Sequence, residues 1–169
     1  MACAVALAAS LAGCSFNPFG NLSGTPGSFA TVPARVGQPV AMVVRFLDVP
    51  PGDRIEFLAA EPLDVADGAV VRLLLSRPVV RAGGDRIVGE VTETLEGAVV
   101  TGVSSSIGAD NAVGIVAELT AQRPGRYELA SIRLRYQSVQ DGKRTREGVD
   151  VVMTVCADDP RPASCPRSP

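Results

Sequence analysis

Along this chain apolar and polar residues alternate in short stretches, and Gly or Pro interrupts them at close intervals. Between residues 35 and 125 the longest run free of both is ten residues, 40–49. An amphipathic helix usually needs at least that length, whereas strands of about five to eight residues fit easily. Strict alternation marks the strands, because successive side chains on a strand point to opposite faces. In 40–47, Val40, Met42, Val44 and Phe46 share one parity and Arg45 takes the other. Pro50-Pro51-Gly52-Asp53 predicts a turn before a strand over Arg54–Leu58. In 69–75, Val71, Leu73 and Leu75 oppose Arg72, and Arg81-Ala82-Gly83-Gly84-Asp85 turns the chain into 86–93. A strand over 98–103 follows, and in 113–119 Val113, Ile115, Ala117 and Leu119 face the core while Glu118 faces out. The 24 valines point the same way, since β-branched residues suit a pleated, half-buried surface.

The stretch 126–136, RYELASIRLRY, carries the most information. Tyr127 and Leu129 share one parity, and Ile132, Leu134 and Tyr136 share the other. One extra residue near Ala130-Ser131 puts all five on the core side, which is what a β-bulge does. Asp141-Gly142 then turns the chain into a last strand, 149–155, with Val149, Val151, Met153 and Val155 aligned. The reading is all-β, an antiparallel sandwich of about seven or eight short strands.

Pro124-Gly125-Arg126-Tyr127 follows one alternating strand and precedes a long one. It resembles the PGxY corner of immunoglobulin-like sandwich domains. The resemblance implies an immunoglobulin-like β-sandwich over 35–156, in which the Tyr127 hydroxyl caps the turn before the penultimate strand. The chain has no Trp, so the Cys…Trp…Cys signature of antibody domains is absent.

The first 34 residues differ from the rest. No charge precedes Arg35, so all 34 charged side chains fall in the remaining 135 positions. MACAVALAASLAGC is almost wholly apolar or small. It is too short to cross a bilayer, which takes ~20 residues as a helix, but it suits the core of an export signal. No Lys or Arg precedes it, a feature that a start further upstream would supply. Leu11-Ala12-Gly13-Cys14 is similar to the lipobox of bacterial lipoproteins. That resemblance implies a short signal helix over 1–13 that is cleaved away, and a Cys14 that carries diacylglycerol and an acyl chain. Two acyl chains hold a protein firmly where one binds marginally. The implied location is the extracytoplasmic face of a membrane. Residues 14–34, rich in Gly, Pro, Ser, Asn and Thr, read as lipid anchor and flexible tether.

With Cys3 removed alongside the signal and Cys14 lipidated, two of the four cysteines remain, Cys156 and Cys165. An exported compartment permits disulfides, so these two are expected to pair and close the Pro-rich tail 157–169. A ring this small stabilises by roughly 2–3 kcal/mol in the chain-entropy picture.

Composition narrows the chemistry. A net charge of −2 lacks the basic excess of a nucleic-acid binder, and the absence of histidine removes the usual zinc sites and His-based catalysis. The single lysine, Lys143, sits at an expected hairpin tip; Ser104-Ser105-Ser106 reads as a polar loop, and Asp158 and Asp159 as solvated acids. Asp48, Asp53, Asp64 and Asp67 match no calcium-loop spacing. No catalytic residue, metal or cofactor is therefore expected. Charge is nonetheless uneven. Residues 126–146 carry six basic side chains against two acidic ones, net +4, and 48–67 carry six acids against Arg54, net −5. Arg133, Arg135, Lys143, Arg144 and Arg146 either form a patch for an anionic partner or lie on a solvated face, paired with acids such as Glu147 and Asp150. Taken together, the sequence predicts a lipid-anchored interaction module of the cell envelope, its partner another envelope protein or an anionic wall polymer. The alternative is an envelope enzyme, or a small-ligand or metal binder with its site in a loop cleft.

Overall fold

The computed structural model describes residues 30–82, 86–103 and 112–157, and nine strands lie within them. The expected signal helix, Cys14 and Cys165 lie outside the described residues. The strands are β1 (Ala30–Ala34), β2 (Pro39–Phe46), β3 (Val49–Leu63), β4 (Ala69–Ala82), β5 (Arg86–Thr94), β6 (Val99–Val103), β7 (Gly114–Ala121), β8 (Gly125–Ser138) and β9 (Arg144–Ala157). They form two sheets, a five-stranded one ordered β1-β9-β8-β3-β6 and a four-stranded one ordered β2-β7-β4-β5. Every pairing is antiparallel except β1 with β9.

One apolar core joins the two sheets. Ile55, Phe57, Leu129, Ile132, Leu134 and Met153 from the larger sheet meet Val44, Leu73, Leu75, Ile115 and Leu119 from the smaller, each 6% exposed or less. Within it the rings of Phe57 and Tyr136 are tilted by 57°, with centroids 6.1 Å apart. The inward sets expected for 113–119 and 149–155 are all in this core. So are Tyr127, Leu129, Ile132, Leu134 and Tyr136, because the β8–β9 register shifts between Leu129 and Ser131, as the change of parity requires.

Four expectations are corrected. Residues 30–34 belong to the sheet and not to the tether: β1 pairs in parallel with β9, from Ala30 opposite Met153 to Ala34 opposite Ala157. Described strands number nine, not seven or eight. Pro50–Asp53 is no inter-strand turn but an excursion within β3, where Val49 faces Val103 and Arg54 already faces Thr101. Gly52 takes a positive φ of 92° there, which a side chain would strain. Gln140 fastens this excursion to the β8–β9 hairpin, donating to the Gly52 carbonyl at 2.7 Å and accepting from the Arg54 amide at 3.3 Å.

The fourth correction concerns β2. A register shift between Val43 and Arg45 reverses the parity of its last residues. Arg45 lies opposite Ile115, a core residue, while Phe46 joins Val43, Leu74, Ala112 and Val116 in a second cluster of buried residues. The Arg45 side chain is only 18% exposed, and its Nη2 lies 3.5 Å from Oε1 of Glu147 on β9. Glu147 pairs with Leu134, so it too faces inward. This ion pair links the sheets along the side where β2 approaches β9.

Removing one partner strands a half-buried charge, whereas removing both does not. Arg45→Met and Glu147→Leu should each lower stability by about 1–2 kcal/mol, and the double variant Arg45→Met/Glu147→Leu should lose less than the two singles combined. Urea unfolding of the four proteins tests this; strict additivity would show that the two side chains do not act as a pair.

Candidate functional site

The bulge in β8 sets the outward face of the five-stranded sheet. Once Ile132, Leu134 and Tyr136 turn to the core, Arg133 and Arg135 must point away from it. On β9, Arg144 and Arg146 alternate with residues of the opposite parity and are both exposed. The register places Arg135 directly opposite Arg146, Gln137 opposite Arg144 and Arg133 opposite Gly148. Lys143 ends the hairpin tip, where its amide donates to Asp141 Oδ1 at 3.0 Å and Gly142 adopts a φ of 68°. That hydrogen bond, the main cause, holds the Asp141 carboxyl below its ordinary range.

The acids on this face come chiefly from β3. Glu61 lies between two arginines, with Arg133 Nη1 at 3.4 Å from its Oε2 and Arg135 Nη2 at 3.8 Å from its Oε1. Glu56 accepts a hydrogen bond of 2.8 Å from the Gln137 amide. Glu147, expected as an acid of this face, instead takes the inward parity and is half-buried beside Arg45. Asp150, the other expected partner, is exposed opposite Ser131 and enters no ion pair among the described residues. Arg54, missed in the sequence because it sits within an acidic stretch, alternates with buried Ile55 and extends the face on β3. Over the half nearest the hairpin, Arg54, Arg135, Arg144 and Arg146 outnumber Glu56 by three charges, with Glu61 reaching Arg135 from the neighbouring half. In that neighbouring half Arg133 is set against Glu61 and Asp150, one acid in excess, so the positive charge is concentrated toward the hairpin. The surface ion pairs themselves add little stability, so this face is a charge pattern and not a structural staple.

Other sites expected from sequence fall elsewhere. Tyr127 is 5% exposed, and its hydroxyl donates to the Arg123 carbonyl at 3.0 Å, across the turn that leads into β8. The Arg123 side chain reaches back to the Asp67 carbonyl at 3.2 Å and lies over Gly68, where a Cβ would come within 2.8 Å of the guanidinium. Cys156 is 2% exposed on β9, opposite Arg126. Ser104–Ser106, Asp158 and Asp159 lie outside the described residues. Asp48 and Asp53 flank the start of β3 while Asp64 and Asp67 follow its end, and no three potential metal ligands gather among the described residues.

Among the described residues the most perturbed titrating group is Tyr136, 2% exposed. Burial, and next the Glu147 carboxylate beside it, push its phenol well above the usual value near 10. Its hydroxyl donates to Glu147 Oε2 at 3.2 Å, which extends the Arg45–Glu147 pair into a trio.

No protein family matches this chain, and neither does any curated protein. Among solved structures, a family 123 glycoside hydrolase from Clostridium perfringens, studied for glycolipid glycan hydrolysis, is similar over 75% of this chain and 22% of its own length, at 7% identity and a TM-score of 0.36. At that score the likeness bears on neither fold nor activity.

The Tyr136 shift has a sign. The unfolded phenol loses its proton near pH 10 while the folded one keeps it, so the folded state binds more protons and stability falls as pH rises above 10. Urea midpoints between pH 9 and 11 should therefore decline less steeply for Tyr136→Phe than for the unaltered protein. Parallel slopes would show that Tyr136 is not held protonated.

Proposed function

We propose that this chain is an exported, lipid-anchored interaction module without catalytic activity. Cys14 carries the lipid on the extracytoplasmic face of a membrane, the residues after it form a tether, and an immunoglobulin-like sandwich presents its outer faces and loops to an envelope partner. One observation carries this reading: Leu11-Ala12-Gly13-Cys14 closes an apolar run, and Cys14 stands sixteen positions ahead of Ala30, the first described strand residue. A lipid so placed confines the domain to a surface, and the intervening uncharged, Gly- and Pro-containing stretch gives it reach.

The immunoglobulin-like assignment draws support from strand neighbours. β2-β7-β4 and β3-β8-β9 lie side by side in separate sheets, as strands B-E-D and C-F-G do in that fold. The Tyr127 hydroxyl bond across the turn before β8 has the form of its tyrosine corner. One departure is that β6, the outer neighbour of β3, follows β4 and β5 in the chain. The Cys156–Cys165 disulfide belongs to the same reading. On β9, Cys156 has the parity opposite to core residues Val155 and Ala157, so its side chain points away from the main apolar core.

Peptide-level and intact mass spectrometry of protein from the native membrane fraction tests both modifications. The expected result is a mature chain that begins at Cys14 with diacylglycerol and acyl groups, and a linked peptide pair holding Cys156 and Cys165. Cys14→Ser should move the protein from the membrane to the soluble fraction. A chain that keeps the residues before Cys14, without lipid and with reduced thiols, overturns the reading.

A further inference from the structure

We propose that the arginine face of β8 and β9 rests on the anionic headgroups of the membrane that holds the protein. The inference deepens the proposal above and relies on Cys14 as the lipid-bearing residue. Three observations carry it.

The first is an imbalance of charge. Arg135 and Arg146 stand directly opposite each other, an arrangement that destabilises an antiparallel pair unless an anion lies over it. Glu61 is shared between Arg133 and Arg135, and neither Arg144 nor Arg146 enters an ion pair among the described residues. The second is the chemistry of the side chains. Arginine forks bind phosphate oxygens in bidentate fashion, and the Arg135 side chain is 54% exposed and so open to such contact.

The third is direction. β1 runs parallel to β9, and Ala30 pairs with Met153 while Ala34 pairs with Ala157. Ala30 is therefore the end of β1 nearer to Arg144 and Arg146, and the chain from Cys14 joins the sheet on that side. Fifteen residues, 15–29, separate Cys14 from Ala30; the connection spans at most about 55 Å when extended and about 20–25 Å as a flexible coil. From Met153 to Arg146 along β9 is about 23 Å at strand rise. A lipid at Cys14 thus brings the bilayer within reach of this face, and an anchored domain meets headgroups at high effective concentration even where each contact is weak. The same geometry gives an anionic polymer free in the envelope no such advantage.

The test uses the full chain with Cys14→Ser, so that vesicle binding is read without the lipid. Partitioning is measured on vesicles of phosphatidylcholine alone and of phosphatidylcholine mixed with phosphatidylglycerol, at low and high salt. Each basic side chain near an anionic bilayer contributes about fivefold. The ratio of binding to mixed over neutral vesicles should therefore exceed ten at low salt and approach one at high salt. R135E/R144E/R146E should lower that ratio at least tenfold with an unchanged urea midpoint, and Glu61→Gln should raise it. A ratio unmoved by the triple reversal overturns the proposal. So does retention on an anionic polymer such as polyglutamate, lost in the triple variant, with no preference for mixed vesicles; that result would assign the face to a polymer. Failure of the anchor reading is separately visible, as native protein whose Cys14 bears no lipid. In that case a salt-sensitive preference of the Cys14→Ser chain for mixed vesicles would still uphold the face as a headgroup surface.

Discussion

A strand has a side-chain period of two, so one extra residue in a ladder exchanges everything beyond it between core and solvent. Two such residues decide this fold. In β8 the shift after Leu129 lets five large side chains face the core and turns Arg133 and Arg135 outward. In β2 the shift after Val43 does the reverse with a charge, carrying Arg45 to the inner side and Phe46 to the outer. A guanidinium in that position is tolerated only with a counter-charge. Glu147 supplies it from the other sheet, and the Tyr136 hydroxyl completes the bonding of that carboxylate. The polar trio therefore follows from one bulge, and with it the side-to-side registration of the two sheets near β2 and β9.

At each end of the fold, side chains bond to the backbone of a neighbouring turn. At one end Tyr127 ties its own turn through the Arg123 carbonyl, and the side chain of Arg123 crosses to the β3–β4 turn. Gly68 leaves room for that crossing and takes a φ of 94° that other residues avoid. At the other end Gln140 holds the Pro50–Asp53 excursion against the β8–β9 hairpin. Both fastenings leave the outward face of β3, β8 and β9 free of structural duty. Residues on that face answer to what lies outside the fold.

Much of this was legible in the sequence, and the failures have physical causes. The β8 bulge could be read because polar residues separate its apolar ones, so that a change of parity shows as a break in pattern. The β2 bulge could not: Val43, Val44 and Phe46 are apolar on either parity, and only Arg45 distinguishes the two registers. Ala30–Ala34 contains Pro33 and no charge and so resembled tether, yet a short edge strand accepts proline. Pro50-Pro51-Gly52-Asp53 has turn chemistry and does bend the chain, but within a strand whose pairing resumes at Arg54. Glu61 as the acid between Arg133 and Arg135 lies 72 residues from Arg133, and only the β3–β8 register brings them together. Nothing local in a sequence encodes such a neighbour, whereas the outward direction of the arginines is local and was foreseen.

That contrast bears on what the face is for. Apart from the trio of Arg45, Glu147 and Tyr136, patterning and packing agree through the core, and the conflict that nothing inside the fold answers lies at the surface, where Arg135 is placed against Arg146 with Arg144 one pair further along. A like-charge cross-strand pair costs about 0.2–1 kcal/mol relative to a neutral one, small beside a core that buries more than thirty apolar side chains. A cost of that size can persist without threatening the fold. Local disagreement of this kind is most often found where a chain meets something else. The same arginines that are poorly matched to one another in the isolated domain are well matched to a plane of phosphates, which supplies many counter-charges at once and asks for no particular register.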